Sequence, residues 1–252
     1  MTTPPSKFTN RSSAAMVFVV SLITLLSFTA IGKNAKATLP RNYGAINKAE
    51  SYNSSIGYSI YQQVYKAGAD ISEEVFALAF KGFEKLSASG RLSTDSILTI
   101  IDFSRSSREK RMFVIDLKAE TLLFKTVVAH GRNTGEEYAL KFSNNMNSHQ
   151  SSLGFYITKS TYTGSNGYSL MLDGIEQGIN DKAISRAIVM HGAEYASEEM
   201  IGKKGYLGRS FGCPALPKQI NKQVIDKIKQ GNCMFIYYPD QQYLCNSKIL
   251  NG

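Results

Sequence analysis

The sequence predicts a β-rich α+β domain whose strands are preceded by two helices. Three observations predict it. Short β-branched and aromatic runs begin after Gly90 and recur as far as Tyr238. Two stretches before Gly90 carry apolar residues at helical spacing. Strands outnumber helices and do not alternate with them, which disfavours a doubly wound fold. The 252 residues suffice for a substantial core, and 43% hydrophobic against 19% charged residues excludes a largely disordered chain.

The first predicted helix covers Tyr58 to Ala67, with Ile60, Val64 and Ala67 on one face. The second has Asp70 as its cap, Glu73 three residues on, and Gly90 just past its end. Phe76, Ala79, Phe80 and Phe83 form its apolar stripe, the pattern of core packing. Strands are predicted at Ile97–Phe103, Met112–Leu117, Leu122–Ala129, Gly154–Thr158, Ser169–Leu172, Arg186–Met190 and Met234–Tyr238. A last helix fits Lys218 to Gln230: Pro217 opens it, Ile220, Val224 and Ile228 line one face, and Gly231 ends it.

The N-terminus has the form of an export signal. Lys7 and Arg11 precede an uncharged run from Ala14 to Gly32, and Ala35-Lys36-Ala37 supplies the small-x-small cleavage pattern. A retained N-terminal membrane anchor is the alternative, because the run nearly reaches spanning length. In both cases the rest of the chain is expected outside the inner membrane, in the periplasm or cell envelope. The expected organisation is a signal at 1–37, a polar linker at 38–57, a helical N-terminal lobe at 58–90 and the functional domain at 91–252.

Without residues 1–37 the chain holds 25 Lys plus Arg against 20 Asp plus Glu, spread without a basic block. Such a mild excess gives no support to a nucleic-acid partner, whereas a polyanionic cell wall is compatible with it. An exported chain with three Cys leaves at least one thiol outside any internal disulfide. Cys233 and Cys245 bracket the apolar run CMFIYYPDQQYLC, and a hairpin turning at Pro239-Asp240 would set them opposite each other. Cys213 is then the cysteine left over.

Two segments carry candidate chemistry. Ile188-Val189-Met190-His191-Gly192 is a buried-looking strand ending in a histidine, and Gly208-Arg209-Ser210-Phe211-Gly212-Cys213-Pro214 is a Gly-rich turn presenting a thiol. A thiol attacks only as thiolate, and a nearby imidazole can take its proton. Gly192 leaves the strand end uncluttered, Gly212 lets backbone N–H groups converge on an oxygen, and Pro214 fixes φ after the cysteine. Residue types alone leave two alternatives open: Cys213 as a small core residue with His191 as a structural histidine, or a zinc site, for which no CxxC or HxxxH spacing is present.

His-Gly followed by Ser-x-Gly-Cys resembles the catalytic motif of YkuD-type L,D-transpeptidases, and the match is closest to the murein L,D-transpeptidase catalytic-domain branch. Further segments similar to that branch are Leu98 to Ser104, Val128 to Arg132, Ser148 to Tyr156, and Asn180-Asp181. The resemblance runs from about Phe76 to Tyr238. It implies a YkuD-like β-sandwich or mixed-sheet core and a cysteine acyl-transferase acting on peptidoglycan peptide stems; no cofactor and no metal are expected. Carried over, Cys213 is the nucleophile, His191 the base, and the Gly192 carbonyl its orienter, while the Gly212 and Cys213 amides form the oxyanion hole. The chain departs from the motif in three places. The 18 residues between His191 and Ser210 are slightly more than usual, Phe211 replaces the second motif histidine, and Pro214-Ala215 replaces a polar or Arg follow-up.

Four more residues are candidates for substrate contact beside Ser210 and Phe211: Arg209, which suits a stem carboxylate, together with His149, Ser152 and His130 in family-like loop positions. For Arg209 an exposed rim position is the alternative, and for His149 a solvated loop. Transpeptidation, hydrolysis of the same stems as an L,D-carboxypeptidase, and non-catalytic wall binding all remain open at this stage.

Overall fold

The computed structural model describes residues 56–252, so the expected signal at 1–37, its alternative as an anchor, and most of the linker lie outside the described residues. Helix α1 (Ile56–Lys66) buries Ile60, Tyr61 and Val64. Helix α2 (Glu73–Ala88) follows the aromatic stripe and stacks Phe76 on Phe80 and Phe80 on Phe83. Its cap is Ser72, whose Oγ accepts the Val75 N–H at 3.3 Å, and not the expected Asp70. Asp70 is instead taken by Arg105 and Lys125, each at 3.0 Å. A side chain two residues ahead of the cap position is out of reach of the helix's free N–H groups.

The sheet is mixed and has eight strands in the order β3-β2-β1-β8-β4-β5-β6-β7. They span β1 Ile97–Asp102, β2 Met112–Asp116, β3 Thr121–Thr126, β4 Gly154–Gly164, β5 Gly167–Gly174, β6 Val189–Gly192, β7 Ala215–Leu216 and β8 Cys233–Tyr237. β1 lies centrally, antiparallel to β2 and parallel to β8, and every one of its residues is buried. Beyond β3 the chain turns back on the far edge, where Ala129 bridges Ala215 and Gly131 bridges Ser210. The α+β class is therefore realised as one mixed sheet whose two edge regions meet.

Both helices contribute to the same hydrophobic core as the sheet. The closest approach is at Gly82, where an added Cβ would stand 2.0 Å from Phe155 Cζ. Phe155 in turn stacks on Phe235, with ring centroids 4.3 Å apart.

Helix α3 (Glu198–Lys204) follows a short 3-10 turn at Glu194–Ala196, and α4 (Lys218–Ile228) packs on β5 and β6. The predicted strand at Arg186–Met190 is confined to its end, because Ala187 is at φ +54° and the ladder starts at Val189. α4 is not the last helix. Asp240 caps α5 (Gln241–Asn246) by accepting the Tyr243 N–H at 2.7 Å, and Ser247 caps α6 (Lys248–Asn251).

That ending corrects the hairpin and its disulfide. Pro239-Asp240 opens a helix, so Cys245 sits exposed on α5 while Cys233 is buried in β8, and none of the three cysteines forms a disulfide. The two helices are tied to the sheet by the buried Glu176, which accepts the Phe155 N–H at 2.7 Å and the Tyr243 hydroxyl at 3.2 Å and is bonded to Ser247. Burial raises the Glu176 carboxyl above its ordinary value.

Candidate active site

β6 delivers His191. The strand pairs in parallel with β7, His191 opposite Ala215 and Gly192 opposite Leu216. A Cβ added at Gly192 would stand 3.1 Å from the Asn221 side chain on α4, which would have to give by a few tenths of an ångström. His191 is buried, and its Nδ1 lies 3.1 Å from the Gly192 carbonyl. A carbonyl only accepts, so the proton is on Nδ1, and Nε2 is left as the acceptor. Burial lowers the imidazole pKa, and the bond to the Gly192 carbonyl acts against that, so the neutral ring is favoured.

Cys213 stands two residues before Ala215. The β6–β7 register therefore carries it alongside Val189, on the strand that bears His191. The Val189 N–H donates to Cys213 Sγ at 3.4 Å, and the thiol donates to the Ala187 carbonyl at 3.7 Å. The two candidate groups thus stand on β6 and on the turn that leads into its neighbour β7, and they are not hydrogen-bonded to each other: the resting thiol is turned toward Ala187 and the start of β6. Burial raises the Cys213 thiol, while the Val189 N–H and Arg186 act in the opposite direction.

The turn ahead of the thiol is braced from inside. Ser210 Oγ donates to the Cys213 carbonyl at 2.6 Å and accepts the Gly212 N–H at 3.0 Å. Ser151 Oγ donates to the Gly212 carbonyl at 3.0 Å and accepts the Gly131 N–H at 3.1 Å. Gly212, at φ +124°, is in a conformation that L side chains rarely adopt, and an added Cβ would meet the Gln150 carbonyl at 2.8 Å. Of the two amides expected to face an oxyanion, the Gly212 N–H is engaged by Ser210. The Cys213 N–H has no acceptor among the described residues.

The expected substrate contacts divide by burial. Ser210 is internal, as above. Ser152 is buried too, donating to the Ser143 carbonyl at 2.9 Å and accepting from Arg186 Nη1 at 2.5 Å. His130 is 1% exposed: its Nδ1 takes a bond from Arg111 Nη2 at 2.8 Å, and its Nε2 reaches the Gly135 carbonyl at 3.3 Å. Burial and the adjacent Arg111 guanidinium push His130 down to about 3. Ser210, Ser152 and His130 are therefore buried and hydrogen-bonded within the protein.

Phe211, His149 and Arg209 are the expected contacts that line its surface. Phe211 is 64% exposed, with the His149 ring 4.7 Å away and the Arg132 guanidinium 5.6 Å from its centroid. Arg209 donates to the Gly135 carbonyl at 3.2 Å and lies 4.0 Å from Glu136. With Arg132, Lys141, Tyr138 and Leu140 it lines a cavity of about 510 Å³ that does not include Cys213. Among the described residues no group of three or more His, Cys, Asp and Glu side chains is placed to hold a metal ion.

Sequence reasoning missed Arg186, which sits against the Cys213 turn, and gave Ser151 no separate role. The signal for Arg186 was a charge opening the apolar run Ala187–Met190, because a charge leading into a buried strand needs partners there.

The L,D-transpeptidase catalytic domain model matches residues 67–237. Solved structures with similar folds include an L,D-transpeptidase from Mycobacterium smegmatis, at 12% identity and TM-score 0.35 over 57% of this chain and 59% of that one. An L,D-transpeptidase from Mycobacterium tuberculosis matches at 13% identity and TM-score 0.34, over 57% of this chain and 58% of that chain. The helical cell shape determining protein of Campylobacter jejuni matches at 11% identity and TM-score 0.35, over 58% and 49%. The chain thus covers less than two thirds of the length of these structures. No curated protein matches the sequence.

Proposed function

We infer, for a chain that belongs to the L,D-transpeptidase catalytic domain family, that it joins peptidoglycan stems through a thioester on Cys213. The observation that carries this reading is the His191 ring, locked by the Gly192 carbonyl with Nε2 as acceptor, on the strand next to the one that leads from Cys213.

In the proposed reaction the thiol leaves the Ala187 carbonyl by a χ1 rotation and passes its proton to His191 Nε2. The sulfur then attacks the carbonyl of the L-configured residue at stem position three. The oxyanion that forms is held by the Cys213 N–H, and a donor of this kind is worth about 3 kcal/mol. Collapse expels D-alanine, whose amine takes the proton back from His191, and a thioester remains. The amine of a second stem attacks that thioester, loses a proton to His191 and regenerates the thiol, giving a cross-link between two third-position residues. Phe211, His149 and Arg209 are the surface against which a stem would lie. The site would work in the cell envelope, on the far side of the membrane that the expected signal addresses.

Incubation with tetrapeptide-stem muropeptides, followed by mass spectrometry, tests the reading. Cross-linked dimers that disappear in Cys213→Ala are expected. Tripeptides without dimers would make the protein an L,D-carboxypeptidase, product unchanged in Cys213→Ala would remove Cys213 as nucleophile, and binding to the stems with no product at all would leave wall binding. Because both groups rest neutral, kcat/KM is expected to hold down to pH values below about 6.5, the ordinary imidazole value, and to fall only as His191 becomes protonated.

A further inference from the structure

Arg186 is a half-buried guanidinium whose partners are all neutral. Nη1 donates to the Ser143 carbonyl at 2.8 Å and to Ser152 Oγ at 2.5 Å, and Nη2 donates to Ser148 Oγ at 3.1 Å and to the Gln150 carbonyl at 2.6 Å. The four N–H groups of the fork are used, and among the described residues no carboxylate lies within ion-pair distance of it. A cation held partly out of water without a counter-charge is costly unless something in its surroundings needs the charge.

What lies beside it is the nucleophile turn. Nη2 is 3.4 Å from where a Gly212 Cβ would begin, and the residues that touch the sulfur, Ala187 and Val189, follow directly in the chain. The four acceptors all belong to residues 143–152, the loop that presents His149 to the surface and Ser151 to the Gly212 carbonyl.

We propose that Arg186 is the positioning residue of the Cys213 thiolate, clamping the 143–152 loop onto the nucleophile turn and supplying the positive charge that the anionic sulfur faces. The proposal rests on Cys213 being the nucleophile. It adds that the neutral resting pair becomes a reactive anion through a charge outside the Cys–His pair. With its four terminal N–H groups engaged, Arg186 acts on the sulfur through space and leaves substrate carboxylates to Arg209 and Arg132. Burial lowers the Arg186 pKa and raises that of Cys213, and the attraction between the two acts against both changes. The other ionisable groups nearby are neutral: Tyr195 in the 3-10 turn, raised to about 12 by burial and Cys213, Tyr156 on β4 facing Arg186, and His191 on β6.

The test measures the pH dependence of iodoacetamide alkylation of Cys213, followed by intact mass in a Cys245→Ser background because Cys245 is exposed. An opposite charge at this range lowers a pKa by roughly one unit or more. Arg186→Gln is therefore expected to raise the alkylation midpoint and slow alkylation at pH 7 about tenfold, while Arg186→Lys, which keeps the charge, stays within about threefold of the parent. A folded Arg186→Gln protein that alkylates like the parent at every pH overturns the proposal. If Arg186→Gln does not fold, as circular dichroism would report, a tenfold loss in Arg186→Lys overturns it equally. Alkylation needs no stem substrate, so Arg186-dependent alkylation without muropeptide turnover would refute the transpeptidase reading and leave this one standing.

Discussion

Two buried histidines on either side of the segment that carries Cys213 show how surroundings divide one residue type into different jobs. His130 has both ring nitrogens occupied, one by Arg111 and one by a carbonyl, so it can neither take nor give a proton without breaking the packing around a fully buried guanidinium. His191 has one nitrogen occupied and one open. The difference is testable through pH. A His130 pKa depressed in the folded state, against about 6.5 unfolded, contributes stability that is present above pH 6.5 and is lost as the pH falls from there toward about 3. In His130→Gln, which keeps an acceptor for Arg111, thermal melts between pH 7 and pH 4 should lose part of the parent's acid-side slope. An identical slope would mean that His130 titrates normally.

Phe211, which takes the place of the usual motif histidine, makes the opposite case. Being 64% exposed, it contributes little to the core, so Phe211→Ala should leave the melting temperature nearly unchanged and raise KM for muropeptides several-fold, with kcat less affected. Cys213 and His191 were legible as candidates because their chemistry is local to short motifs. The internal roles of Ser210, Ser152 and His130 were not, because burial depends on what the rest of the chain lays over them.

At the scale of elements, the strands read well wherever both faces are buried, as in β1, β2 and β8, because a continuous apolar run leaves few alternatives. The reading failed where a local signal competed with tertiary placement. Pro239-Asp240 was legible as a break, but Asp240-x-x-Tyr243 is equally a helix start, and the capping bond decided it. Asp70 looked like a cap until Arg105 and Lys125 arrived from distant parts of the chain. Helix α2 depends on one small residue: Gly82 lets it close on Phe155, whose ring stacks on Phe235. Gly82→Val should force that ring aside and cost about 1–3 kcal/mol, read as a melting temperature several degrees lower. An unchanged melt would show that helix and sheet are not packed as closely as this.

For the whole molecule, the consequential feature is that the sheet's two edges meet at the proposed active site. The chain leaving β3 returns to bridge Ala129 to Ala215 and Gly131 to Ser210, which stacks Gly131 against Gly212 and seats the nucleophile turn between the loop ending at Ser152 and the start of β6. No pattern along the sequence announces this closure, since the bridges join residues 79 and 86 positions apart. It brings to one place a thiol, an imidazole and a guanidinium that are each unremarkable in isolation. The proposed reaction requires covalent chemistry at one sulfur. Intact-protein mass spectrometry after rapid mixing with a tetrapeptide stem should find an added mass equal to the donor stem minus D-alanine, mapped to Cys213 and missing from Cys213→Ala. Stem turnover that proceeds with Cys213 replaced, or an adduct that maps to another residue, would contradict it.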